Sequence, residues 1–88
     1  MDFEWDPRKD AVNRRKHGVS FDEAATVFED SRVAVFFDEG HSDSEERYIA
    51  LGISAKGRLL VVSHMYRGDV IRIISARKAT AGEARTYG

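Results

Sequence analysis

The run from Val70 to Thr80, Val-Ile-Arg-Ile-Ile-Ser-Ala-Arg-Lys-Ala-Thr, is the most strand-like stretch of the chain and carries three cations at its middle and end. By the period of two, Ile71, Ile73, Ser75 and Arg77 share one face, and Val70, Arg72, Ile74 and Ala76 share the other. Both faces are apolar near the middle, which predicts a central strand covered on both sides. On that reading Arg72 and Arg77 point opposite ways, and an arginine held in such a place must find a partner.

The rest of the chain has little room to do more than complete the sheet this strand belongs to. Its 88 residues make one domain, residues 1–88, large enough for a core but too small for a second one. A hydrophobic share of 42% beside a charged share of 33% describes a soluble globular protein rather than a disordered one. Cysteine is absent, so the fold must hold by packing alone and no thiolate metal site can form. The opening Met-Asp-Phe-Glu-Trp-Asp lacks the order of a signal peptide, and no apolar run approaches the length of a membrane span. A cytoplasmic protein with no membrane partner is expected.

The net charge of -1 hides a segregation. Residues 22–46 hold nine carboxylates against one arginine, whereas residues 56–88 hold seven cations against two acids, and residues 6–17 hold five against two. An anionic partner such as RNA would be drawn to the basic segments and a basic protein to the acidic one, although segments become patches only if folding gathers them.

In chain order, Phe3 and Trp5 alternate with acids as a short strand. Asp6-Pro7 then starts a helix that His17-Gly18 ends, with a cation at its last turn and a glycine free to take positive φ. That helix has only Ala11 and Val12 as apolar content, so it should lie at the edge of the core and show Arg8, Lys9, Arg14, Arg15 and Lys16 outward. Ser20 and Glu23 form a capping box for a second helix to about Phe28, whose Phe21, Ala24, Ala25 and Phe28 make a core stripe. Strands follow at Arg32–Phe37, Glu45–Ile53, Arg58–Tyr66 and Val70–Arg77, the last three as an antiparallel meander. Between the first two lies an acidic loop whose lone His41, without a second histidine nearby, is read as an ordinary loop residue, so no metal or other cofactor is predicted. Thr80 and Glu83 repeat the capping-box spacing and start a short last helix. The order β-α-α-β-β-β-β-α is an α+β fold, two N-terminal helices packed on a mainly antiparallel sheet with a short C-terminal helix.

Several of these residues fall in a pattern that resembles the BrnT-like toxins of type II toxin–antitoxin systems. Its N-terminal part is Phe3-Glu4-Trp5-Asp6, Lys9, Asn13, Lys16 through Phe21 and Glu23-Ala24. The downstream part is Glu46-Arg47-Tyr48, Leu51-Gly52, Leu59 to His64, Ile71 to Arg77, Ala79-Thr80, Glu83 and Tyr87. The resemblance implies a RelE-like ribonuclease fold, a growth-arresting toxin that cleaves RNA, and neutralisation by a BrnA-like DNA-binding antitoxin through which operator DNA is reached only indirectly. Family members continue beyond the tyrosine, so a trimmed or weakly held last helix is expected.

RNA can be cleaved without metal when its own 2′-hydroxyl attacks the adjacent phosphate, provided the protein supplies a base, an acid and cations for the developing charge. The resemblance implies a site of Arg, Lys and Tyr, which directs attention to Arg77, Lys78 and Tyr87, where the last strand passes into the last helix. Arg77 would hold phosphate oxygens with its planar fork, or it could simply pair with Glu83. Tyr87 would orient the phosphate or carry a proton. His64, on the face of Leu60, Val62 and Tyr66, is either a general base or a satisfied core histidine, and Arg72 is the further candidate on the strand. Arg15, Lys16, His17 and Lys78 would position the RNA backbone. The alternative is a non-catalytic partner-binding or regulatory module in which the polarised charge serves docking alone.

Overall fold

The computed structural model describes residues 1–88. Strands run over Asp2–Glu4 (β1), Ala34–Phe37 (β2), Tyr48–Ile53 (β3), Leu59–Arg67 (β4) and Val70–Lys78 (β5). Helices occupy Pro7–His17 (α1), Phe21–Ala25 (α2) and Ala81–Ala84 (α3), with 3₁₀ turns at Thr26–Glu29 and Glu39–His41. The sheet order is β1-β5-β4-β3-β2, antiparallel except for β1, which lies parallel to β5. The middle strand is therefore β4. The run from Val70, expected as a central strand, stands one place off the middle, with β1 covering three residues of its outer side.

The first helix has the bounds its caps dictate. Asp6 accepts a hydrogen bond from the Arg8 N–H at 2.9 Å, Pro7 opens the first turn, and Gly18 closes the helix at φ 69°. The second is shorter than its apolar stripe predicts: α2 ends at Ala25 and tightens into a 3₁₀ turn through Glu29. Ser20 caps it as expected, but Glu23 does not complete the box. Its carboxylate turns inward to Ser54 Oγ, at 2.7 Å, and to the Arg58 guanidinium, which holds it below the usual carboxylate range. Glu23 is buried, so it needs those donors more than its own helix does.

Val19, Phe21, Ala24 and Val27 pack against Ala50, Leu60, Val62, Ile73 and Ala76 to form the core on one face of the sheet. Phe3 and Trp5 close its rim, with Trp5 edge-on to Phe21 at 6.2 Å. Gly52 permits this packing, because a Cβ there would sit 3.2 Å from the Val27 carbonyl oxygen. Strand β2 is an open edge on which Val35, Phe36 and Phe37 stay about half-exposed. No helix is long and apolar enough to cross a membrane.

Beyond Arg72, β5 loses its β1 neighbour, and α1 takes that place through one side chain. The buried Asn13 amide donates to the carbonyl oxygens of Ala76 and Val19, each at 2.8 Å, and its oxygen accepts the Ala76 N–H at 3.1 Å. An asparagine side chain thus answers a strand residue as another strand would. Next to it, Asp10 Oδ1 accepts the Phe21 N–H at 2.9 Å, and Arg58 reaches the Gly18 carbonyl at 2.9 Å, so the α1–α2 corner is held from three sides.

Asn13→Ala strands two buried backbone groups of Ala76 and is expected to cost about 3 kcal/mol, lowering Tm by on the order of 15 °C. Asn13→Asp keeps the acceptor, loses both donors and should melt no higher than Asn13→Ala. A thermal melt of Asn13→Ala within a few degrees of the parent would show that α1 docks without this side chain.

Candidate functional site

The face of the sheet away from the core carries the site. A bulge in β5 decides which side chains reach it. Ser63 pairs with Ser75 and His64 pairs with Ile73, which leaves Ile74 unmatched and inverts the alternation beyond it. Ile71, Ile73 and Ala76 all turn to the core, whereas Arg72, Ser75 and Arg77 fall on the opposite face. The expectation that Arg72 and Arg77 point opposite ways fails for this reason: an uninterrupted period of two was applied across a bulge.

A cleft of about 430 Å³ opens on that face. The C-terminal turn of α1 contributes Lys16 and His17, the segment entering β3 contributes Arg47, β3 itself Ile49, β4 Val61 and Ser63, and β5 Ser75 and Arg77. The loop between β2 and β3 closes it with Asp38 and His41, whose Nδ1 lies 3.0 Å from an Asp38 carboxylate oxygen. Lys16, Arg47 and Arg77 come from three elements far apart in sequence and face one Asp, so the cleft is cationic. Its chemistry is that of an anion site with two imidazoles and two hydroxyls, suited to a phosphodiester.

Arg77 is not free in this arrangement. Its guanidinium lies 2.8 Å from each oxygen of Glu83 in a two-pronged pair. The pairing pulls the Glu83 carboxyl down to about 2 and raises the guanidinium pKa. Thr80 and Glu83 also complete the capping box of α3, so this carboxylate serves the helix and the arginine together.

The other expected site residues lie elsewhere. His64 is fully buried on the core face, where Nδ1 meets the Val62 carbonyl at 3.1 Å, Nε2 meets the Tyr66 hydroxyl at 3.2 Å, and the ring stands edge-on to Phe28. Burial pushes its pKa below the ordinary histidine value. Arg72 bonds Glu4 of β1 at 2.6 Å. Tyr87 donates its hydroxyl to Asp30, which raises the tyrosine pKa, and the Asp30 carboxylate is held below its usual range first by the Ile53 N–H it accepts at 2.8 Å and then by the Tyr87 hydroxyl. Of the expected residues, then, Lys16, His17 and Arg77 meet in one cleft; Arg15 and Lys78 are exposed but do not line it.

Sequence reasoning missed His41 and Arg47. His41 stands in an acidic loop without a second histidine near it, so nothing in its local sequence marks it. Arg47 meets residues of α1 and β5 only once the chain is folded, so its spacing in the sequence gives no reason to single it out. The Glu46-Arg47-Tyr48 motif was the one signal available.

The two-pronged pair gives a stability signature in acid. Because Glu83 has a folded pKa of about 2, below its ordinary value of 4.5, its contribution is present above pH 4.5 and drains away as pH falls toward 2. Wild-type protein is expected to lose stability across that window, and Glu83→Gln to lack that part of the loss, in melts taken from neutral pH downward. Identical acid profiles for the two proteins would contradict the pairing.

Comparison with known proteins now adds a second line. A family model described as "Ribonuclease toxin, BrnT, of type II toxin-antitoxin system" matches residues 5–83. The crystal structure of the Brucella abortus ribonuclease toxin BrnT is similar in fold, with a TM-score of 0.71 at 24% identity, covering 91% of this chain and 97% of that one. A sequence search of curated proteins gave no match.

Proposed function

The chain belongs to the BrnT family of ribonuclease toxins of type II toxin–antitoxin systems, and from that premise we propose that it is a metal-independent, RelE-like endoribonuclease that cleaves RNA to arrest growth. A BrnA-like DNA-binding antitoxin neutralises it, and operator DNA is reached only through that antitoxin. The observation that carries the reading is the cationic cleft, which sets Lys16, His17, Arg47 and Arg77 around two hydroxyls on the open face of the sheet. The RNA backbone follows Lys16 and His17 at the α1 terminus, with Arg15 and Lys78 as exposed contacts at longer range.

In this mechanism Arg77 acts at the scissile phosphate. Its planar fork now embraces a carboxylate, an anion of the same bidentate shape as two phosphate oxygens, so an incoming phosphodiester competes with Glu83 for one preformed receptor. Arg47 approaches the same cleft from β3. No step is routed through His64, Arg72 or Tyr87, whose polar groups are engaged outside the cleft.

A second reading is a non-catalytic partner-binding module. It is favoured by the Arg77–Glu83 pair, which is complete without any ligand, and by the half-exposed apolar edge of β2. Arg77→Ala separates the two. If the residue stabilises transition-state charge, single-turnover cleavage should fall about a hundredfold, equivalent to on the order of 3 kcal/mol, with a small loss of RNA affinity and retained folding. A folded Arg77→Ala protein that cleaves at the parental rate would remove the residue from the reaction.

Two further outcomes follow from the same chemistry. Cleavage should persist in EDTA, and loss restored by a divalent ion would contradict a metal-free mechanism. RNA affinity should fall steeply with salt, since it rests on cations displacing counterions; a flat salt dependence would count against this cleft as the binding surface.

A further inference from the structure

We propose that His41 is the general base of the cleft, held in register by Asp38, an assignment that rests on the ribonuclease reading above and names the residue that starts its reaction. The cleft has few groups able to take a proton. Lys16, Arg47 and Arg77 are cationic side chains, Ser63 and Ser75 are hydroxyls, and of the two imidazoles, His17 and His41, it is His41 that has a carboxylate against its ring, that of Asp38, whose side chain is only 16% exposed. Imidazole is the side chain that both offers and accepts a proton near neutrality. His41 is 72% exposed at its side chain, with Nδ1 held 3.0 Å from Asp38 Oδ2. That contact occupies one ring nitrogen and leaves Nε2 without a protein partner at the cleft's edge. A carboxylate behind one nitrogen fixes which tautomer is present and supports the charge when the other nitrogen is protonated.

The loop that presents this pair is closed by other groups. The Asp38 N–H donates to the Arg47 carbonyl at 2.8 Å, Ser42 Oγ donates to the Asp38 carbonyl, and the Arg47 N–H donates to Ser42 Oγ at 2.9 Å. These bonds tie Asp38, His41 and Arg47 into one rigid turn at the start of β3, and none of them uses the imidazole. Beyond its contact with Asp38 the His41 ring has no protein partner, which distinguishes it from the buried His64, whose two ring nitrogens are both engaged.

The step balances without a cofactor. His41 Nε2 takes the proton of a ribose 2′-hydroxyl, and the oxygen attacks the adjacent phosphorus. The bond from phosphorus to the 5′-oxygen breaks, and that oxygen receives a proton from the imidazolium of His17 on the α1 wall. The products are a 2′,3′-cyclic phosphate and a 5′-hydroxyl end. The charged and titratable groups near His41 are Asp38, Asp43 and Glu45 on its own loop, Arg47 just before β3, Arg77 from β5, and Lys16 and His17 from α1.

The test uses the full chain, a 5′-labelled RNA oligonucleotide under single turnover, and its uncleavable 2′-O-methyl counterpart. His41→Ala should melt like wild type, bind the 2′-O-methyl strand with affinity within a few-fold, and cleave about a hundredfold more slowly, with part of the rate returned by added imidazole. Asp38→Asn, a positioning change, should lose about tenfold and gain nothing from imidazole. Cleavage by His41→Ala at the wild-type rate overturns the assignment, as does a loss that lies wholly in affinity for the 2′-O-methyl strand. If wild-type protein leaves RNA intact, the ribonuclease reading fails for free RNA, and the 2′-O-methyl titration followed by NMR then decides His41 alone. Movement of its imidazole resonances supports contact with the RNA, and an unmoved His41 overturns it.

Discussion

The amide of Asn13 is the contact on which the rest of the arrangement depends. Strand β5 is paired on one side along its length but on the other only over the three residues that meet β1. The backbone of Ala76 would otherwise face an apolar core with a donor and an acceptor unanswered, a cost comparable to losing the bonds themselves. Asn13 answers both and spends its second amide hydrogen on Val19, at the entry to α2. A helix with almost no apolar stripe is thereby docked by polar geometry. The same contact carries the last turn of α1, with Lys16 and His17, to the rim of the cleft.

Charge in this molecule is segregated along the chain and only partly paired in space. Of the nine carboxylates in the acidic stretch, Asp22, Glu29, Glu39, Asp43, Glu45 and Glu46 stay exposed, and the other three turn to donors. Glu23 is consumed inside by Arg58 and Ser54, Asp30 by Tyr87 and the Ile53 N–H, and Asp38 by His41. Each carboxylate that leaves solvent finds donors, as burial requires. The cations Lys16, Arg47 and Arg77 are gathered by folding around one cleft. That is the surface an anionic polymer would meet first.

Much of the scaffold was legible in local sequence. Asp6-Pro7 and Gly18 bound α1, Ser20 starts α2, Thr80 and Glu83 build the last cap, and the meander of β3 to β5 follows from alternation and turns. Each is a local event, settled by residues three or four apart, so a linear reading can find it. The site was legible only in part. Arg77, Lys16 and His17 were named for it and do meet, but His41 and Arg47 were missing, and Tyr87, placed beside Arg77 by nearness in sequence, turns to Asp30 instead.

By itself, the sequence determined the elements, their caps, the α+β class and the residue pattern that marks the family, because propensity, capping and hydrophobic period act over one or two turns of chain. Tertiary structure alone decided which charges share a surface. One unmatched residue at Ile74 put Arg72 and Arg77 on the same face, and one amide at Asn13 swung α1 over that face's edge. A ten-residue loop from Asp38 to Arg47, tied through the Ser42 hydroxyl, then brought His41 to the opposite rim. None of these contacts is encoded in a period. They depend on backbone groups left over after the sheet is paired, and those exist only once the chain has folded.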